Sequence, residues 1–266
     1  MNGIENTNNK EYWENYVDYW VDKVSQTNNH NAKDKTLDDH VLNFYLQKLN
    51  LSEEDEFLDF GCGFCRIYPY YVRLTEGGRN YNGIDIAEAP LRLAEKNYPE
   101  LQIGKQLLSF DGDTMPFVSD TFDKVVCFGV FDACNQGKTL VQLIDKLKVG
   151  GKLLITGKNH NYFQDDEEAV VAERNARKKG HPNYFTNVTK MKDYMESIGC
   201  KIAEQYYFLR RGDFPNNQYL NEMPSQFYEW VLIIEKYCST EKIEGYPVLS
   251  DSISETFKRL EHQNGW

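Results

Sequence analysis

The chain has 266 residues, of which 41% are apolar and 14% aromatic, and a formal net charge of −11. That length suits one α/β domain with additions and is short for two independent domains. The acidic balance argues against nucleic acid, whose phosphates need a basic stripe. The first ten residues are polar and Asn-rich and lack the apolar core of a signal peptide. No run approaches the roughly 20 apolar residues of a membrane span, so a cytoplasmic protein is expected, without a membrane partner and either monomeric or homodimeric. Of the six cysteines, Cys62 and Cys65 form a C-x-x-C without the second pair a zinc site needs. Buried thiols and no metal are expected.

Lys10 to Val24 places Tyr12, Trp13, Tyr16, Val17 and Trp20 at helical spacing, and Asp38 to Leu49 repeats the pattern with Val41, Leu42, Phe44, Tyr45 and Leu49. Glu56 to Phe60 reads as a strand running into Gly61-Cys62-Gly63, followed by a helix from Arg66 to Glu76 that stops at Gly77-Gly78. Tyr81 to Ile86 is a second strand, Ala89 to Asn97 a helix, Leu107 to Phe110 a third strand and Phe122 to Val130 a fourth. A helix over Leu140 to Leu147 leads to a fifth strand, Lys152 to Thr156. Such alternation predicts a parallel sheet with helices on both faces. Asn159 to Gly180 interrupts it with a charged helix, placed as an insertion over the sheet's carboxyl edge. Thr189 to Ile198 resumes as a helix. Lys201 to Leu209 and Phe227 to Lys236 are strands joined by a Gly/Pro/Asn-rich loop, which predicts antiparallel pairing.

In Asp59-Phe60-Gly61-Cys62-Gly63-Phe64-Cys65-Arg66 a strand turns into a helix through two glycines. Glycine lets a ligand approach the backbone, and the bare N–H groups at the helix start donate to it. Asp85 ends the second strand, where a carboxylate can accept both hydrogens of a ribose diol. These features together point to an adenosine-containing ligand. A third motif, Phe110-Asp111-Gly112-Asp113-Thr114-Met115-Pro116-Phe117, follows the third strand, with Asp120-Thr121-Phe122-Asp123 beyond it.

From about Glu56 to Gly157 the chain resembles the class I S-adenosylmethionine-dependent methyltransferases. The resemblance implies a Rossmann-like seven-stranded, mostly parallel sheet with helices on both faces and the last strand antiparallel. N-terminal helices and a helical insertion after strand five complete the expected fold. It implies S-adenosylmethionine as cofactor and S-adenosylhomocysteine as product. On its pattern Asp59, Gly61 and Gly63, with Cys62 between them, meet the cofactor's amino-acid end; Asp85 holds the ribose, with Ile86 beside the adenine. Asp111 accepts from the adenine amino group next to Gly112, and Phe128 and Gly129 flank the sulfonium. The family often has a third glycine where this chain has Cys65, a position expected mainly to allow close helix–strand packing. An N-terminal helix often closes over the cofactor there, which makes Tyr12 and Tyr16 candidate contacts through cation–π attraction.

A methyl acceptor bearing a hydroxyl can need a general base. His160, after the fifth strand, and His181 have a side-chain pKa near neutrality and suit that role; each can equally be a hydrogen-bonded loop histidine. Asp132 and Asn135 can orient an acceptor or cap a helix. Arg174, Arg177 and Arg210 either belong to solvated surfaces or converge on an anionic acceptor, such as a phosphorylated or nucleotide-linked sugar. The organisation expected is a helical cap (1–50), a cofactor-binding domain (51–240) with its insertion (159–188) over the site, and a tail (241–266). Two rival functions share part of this pattern. A nicotinamide-dependent oxidoreductase or epimerase is opposed by Arg66, which stands where its last glycine belongs. A non-catalytic cofactor-binding partner subunit is opposed by the histidines near the transfer edge.

Overall fold

The computed structural model describes residues 10–16, 32–239 and 245–264. Residues 10–16 of the expected first helix are helical, while Val17 and Trp20 fall outside the described residues. Helix α1 (Ala32–Lys48) buries Val41, Leu42, Tyr45 and Leu46, the stripe expected of a helix packed on one face. Strand and helix then alternate: β1 (Phe57–Phe60), α2 (Tyr68–Thr75), β2 (Tyr81–Asp85), α3 (Glu88–Asn97), β3 (Leu107–Ser109), β4 (Phe122–Cys127), α4 (Gln136–Lys146) and β5 (Leu147–Asn159). The insertion contributes α5 (Glu167–Lys178) and the two-residue β6 (Phe185–Thr186). After it come α6 (Val188–Ser197), β7 (Cys200–Phe208), β8 (Glu229–Lys236), β9 (Ser250–Asp251) and α7 (Glu255–Asn264).

The seven longer strands lie in the order β3-β2-β1-β4-β5-β8-β7. β1 to β5 are mutually parallel, and β8 runs antiparallel to both β5 and β7. This is the Rossmann-like sheet the resemblance implied. β8 explains the two faces: Trp230, Leu232 and Ile234 enter the core under α4 and α6, and Val231 and Ile233 enter the core under α1 to α3. Side chains on a strand alternate sides, so a continuous apolar run means burial on both.

β6 and β9 were not expected. β8 occupies one edge of β5 as far as Lys158, opposite Glu229. β6 therefore pairs with Lys158 and Asn159 on the other edge, beyond Ile155, the last residue of β5 that β4 reaches. The weakly patterned tail completes this annex. β9 pairs with β6, Leu249 joins the core, and Ser254 and Thr256 are buried. There the buried Glu173 accepts from the Ser254 hydroxyl (2.7 Å), the Ser254 amide (3.2 Å) and the Tyr162 hydroxyl. A buried carboxylate needs such donors. Polar residues inside the tail are why it carried no hydrophobic period.

Candidate active site

The strand order reverses between β1 and β4, and in open α/β sheets that point opens a crevice at the carboxyl ends. A cavity of about 740 Å³ lies there, within the range of small-molecule sites. The loop after β1 forms its floor. Gly61 has φ +71°, and a Cβ on it would meet Val130 at 2.5 Å. Gly63 has φ +53°. Cys65, at the position of the family's third glycine, has φ +61° and is fully buried. Packing was the expected demand at that position, but the backbone also requires a left-handed residue, and here a thiol-bearing one accepts the strain.

Three carboxylates were assigned to the cofactor, and the structure separates them. Asp59 is buried in the cavity wall and accepts a 2.5 Å hydrogen bond from the Tyr81 hydroxyl. Burial pushes its pKa up to about 7 despite that bond. Asp85 lines the cavity and accepts from the amides of Gly63 and Ala87, both at 2.9 Å. Burial raises its pKa and the two amides resist. A carboxylate has about four lone-pair sites, so positions remain for a diol. Asp111 turns away from the cavity. Its Oδ1 accepts from the amides of Asp113 and Thr114, closing an Asx turn that lowers its pKa. Gly112 and Asp113, the latter ion-paired with Lys138, line the cavity in its place.

Ile86, Cys62, Phe128 and Gly129 also line the cavity. Phe214, from the loop between β7 and β8, packs 5.8 Å from Phe128, and Arg66 sits 6.0 Å above the Phe128 ring. The helical segment 10–16 closes over these rings. Trp13 and Tyr16 line the cavity, whereas Tyr12 does not. Tyr12 instead shares a 2.5 Å hydrogen bond with His181 Nδ1, and Trp13 and Tyr16 pack 5.3 and 5.6 Å from that imidazole. At the other end the Glu14 carboxylate accepts from the amides of Glu88 and Ala89 at 2.8 and 2.9 Å. It caps α3, whose own N-cap residue Ala87 offers no side-chain acceptor.

The residues assigned to the acceptor divide more sharply. Asn135 lines the cavity and also caps α4 through its Oδ1. Asp132 is ion-paired with Lys158 at 2.6 Å, and Lys158 also donates to Asn183 Oδ1 at 2.9 Å. Burial lowers the pKa of Lys158, but Asp132 more than offsets it, so the ammonium titrates above its ordinary value. Burial, with Lys158 nearby, lowers the pKa of His181 and keeps the ring neutral at pH 7. His160 is outside the cavity, 3.3 Å from Glu255 of α7. Arg174 and Arg177 are exposed, Arg177 lying over Phe257, and Arg210 pairs with Asp165 above Phe163. None of the three reaches the cavity. The charged helix points its cations to solvent, as helix ends favour. Phe214, Lys158 and Arg66 were not foreseen. The first carried no signal in its loop, and the other two are single cations beside expected motifs.

S-Adenosylmethionine fits these residues. A side chain at Gly61 would fill the cradle, Asp59 suits an ammonium, Asp85 a diol, and aromatic rings a sulfonium. The fold is the Rossmann-like fold of the class I S-adenosylmethionine-dependent methyltransferases. Residues 58–155 match the methyltransferase domain family, and over that stretch the chain is similar to it. The chain is 27% identical over 129 residues to sterol 4-C-methyltransferase strm-1 of Caenorhabditis elegans, covering 46% of this chain and 37% of that one. It therefore spans little more than a third of that relative's length. A Thermotoga maritima methyltransferase structure, described as a possible histamine N-methyltransferase, superposes with a TM-score of 0.58 at 14% identity, covering 85% of this chain and all of the other. Geranyl diphosphate C-methyltransferase from Streptomyces coelicolor, solved with Mg²⁺, geranyl diphosphate and S-adenosylhomocysteine, superposes at 0.57 with 12% identity, over 78% of this chain and 85% of that one. At such identities the likeness is one of fold. No helix among the described residues is long and apolar enough to cross a membrane.

Proposed function

We propose that this protein is an enzyme that methylates a hydroxyl group of a small molecule. The observation that carries the reading is a cavity with two chemically different ends. One is a turn of bare amides with the buried Asp59 and the half-buried Asp85; the other is walled by Phe128, Phe214, Trp13 and Tyr16. The cofactor supplies a methyl group already activated by its sulfonium. The chain's work is to bind and align, which is worth up to roughly 7–11 kcal/mol when the reacting atoms are well placed. Asp59 and the loop amides hold the amino-acid end, and Arg66 can pair with its carboxylate. Asp85 holds the ribose, and Ile86 and Gly112 border the base. The lid excludes water from the transfer region while Glu14 and Tyr12 fasten its two ends. Arg174, Arg177 and Arg210 do not reach the cavity and so lend no support to a phosphate-bearing acceptor, and the aromatic walls favour an acceptor with an apolar body.

Titration calorimetry tests this with S-adenosylhomocysteine and, separately, NAD. Binding of the first without the second is expected, and the reverse result would remove the proposal. A non-catalytic cofactor-binding subunit would not need the second, aromatic end of the cavity.

A further inference from the structure

His181 was foreseen as a base, but it stands behind the cavity wall and does not line it. It is instead the centre of the lid's contacts. An isolated helix of a few turns is marginal in water, so the lid's place is set by what it touches. On the cofactor side Lys10 pairs with Glu88 at 3.3 Å, and Glu14 caps α3. On the other side three lid rings gather on one imidazole. The ring centres of Tyr12 and Trp13 lie 5.3 Å from that of His181, and Tyr16 lies 5.6 Å from it. The three rings stand 5.0 to 5.5 Å from one another. Two of them, Trp13 and Tyr16, line the cavity.

The imidazole is itself held by its loop. The His181 amide donates to the Ala176 carbonyl at 3.0 Å, and the Tyr184 amide to the Asp132 carbonyl at 2.7 Å. Between them the buried Asn183 accepts from Lys158, which binds Asp132. Residues 181–184 are thus tied to Asp132 beyond β4 and to Lys158 of β5. The charged groups facing the ring are Lys158, Asp132 and Lys179, with the phenols of Tyr12 and Tyr16 beside it. Burial raises the pKa of Tyr12, so its hydroxyl keeps the proton that an uncharged Nδ1 accepts. Withdrawal from water, and then Lys158, disfavour a proton on the ring, while Asp132 opposes them.

We propose that His181 is a positioning residue of this site: uncharged, it gathers Tyr12, Trp13 and Tyr16 so that the last two stand in the cavity wall, and a proton on its ring releases them. This rests on the methyltransferase reading only for what the lid covers. A proton taken from water turns Nδ1 from an acceptor into a donor, so the Tyr12 hydroxyl loses its acceptor. It also sets a third positive charge beside Lys158 and Lys179. In the open lid the ring meets water and titrates near its ordinary 6.5; under the closed lid it titrates lower. The closed lid is therefore complete above that pH and weakens as pH falls from there.

The test is hydrogen exchange of the full chain, read on peptides covering residues 10–16, with and without S-adenosylhomocysteine. At about pH 7.5, His181→Ala should speed exchange there roughly 10-fold or more, each lost ring contact or hydrogen bond contributing about 2- to 10-fold. Exchange in β4 and β8 should stay as it was. His181→Phe keeps a ring without a titrating nitrogen and should restore most of the protection. The exchange rate of wild type divided by that of His181→Phe should rise several-fold from about pH 7.5 to about pH 5.5. Taking the ratio at each pH cancels intrinsic exchange and the titration of Asp59. A ring that only packs would leave the ratio flat. The inference is overturned if His181→Ala leaves residues 10–16 as protected as in wild type, or if the ratio does not change with pH. Should His181→Ala loosen the whole sheet, the ratio decides alone. Failure of S-adenosylhomocysteine to bind by calorimetry overturns the methyltransferase reading, while exchange in the ligand-free protein still tests the role of His181.

Discussion

The two ends of the cavity are built in opposite ways. The cofactor end uses loops that follow consecutive strands β1, β2 and β3, and much of its chemistry is backbone: glycine turns, amides at a helix start, and a carboxylate held by the Gly63 and Ala87 amides. The acceptor end gathers the single side chains of Trp13, Tyr16, Phe128 and Phe214, which share no local pattern. A site made of backbone tolerates change in few positions but is set by short-range geometry. One made of convergent side chains can be altered residue by residue, and exists only once the sheet has formed.

Substitutions can break or sharpen that contrast. The largest effect is expected for Gly61→Ala. A left-handed φ and contact with Val130 each cost about 1–3 kcal/mol. Calorimetry should show a loss of S-adenosylhomocysteine affinity of roughly 100-fold or more. Asp59→Asn comes next and runs in two directions. With the folded pKa near 7 and the ordinary value at 3.8, this group's contribution to stability is full below pH 4 and is lost as pH rises through 7. The uncharged variant should therefore melt higher than wild type at pH 8 without ligand, by about 2–4 kcal/mol, and converge with it near pH 4. Its affinity for the cofactor should fall, because the ammonium loses its charged partner. If melting temperatures at pH 8 coincide, the buried-carboxylate account fails.

At the acceptor end, Trp13→Ala separates sulfonium from thioether. Cation–π attraction is worth about 0.5–2 kcal/mol, so affinity for S-adenosylmethionine should drop roughly 2- to 30-fold more than that for S-adenosylhomocysteine. Equal losses would mean that the ring only packs. Cys65→Gly is the mildest. Relief of about 1–2 kcal/mol of backbone strain is opposed by the chain entropy of glycine and the lost buried thiol. Melting should shift by no more than about 1 kcal/mol in either direction, and a large loss would mean that the thiol side chain matters more than its backbone.

The alternation of strands and helices, the glycine turn, and the positions of Asp59 and Asp85 at strand ends were legible because their signals are local. A period of two, a run of apolar residues ending in glycines, and an acid at a strand end each follow from contacts within a few residues. Asp111 shows where that logic stops. Its motif is present, but an Asx turn spends its carboxylate on two neighbouring amides and presents Gly112 and Asp113 to the cavity. Among the lid aromatics, the helical stripe was plain, but which of Tyr12, Trp13 and Tyr16 faces the cavity depends on where the helix docks.

By itself the chain's order of residues specified a parallel sheet with a glycine turn at its carboxyl edge, since periodicity and backbone freedom are properties of neighbouring residues. Only the tertiary structure decided that His160 joins the annex through Glu255, that the arginines of the insertion face solvent, and that Lys158 and Glu229 stand opposite each other on paired strands. Residues 71 positions apart meet through the register of an antiparallel strand pair, and that register is set by the whole buried sheet rather than by either segment.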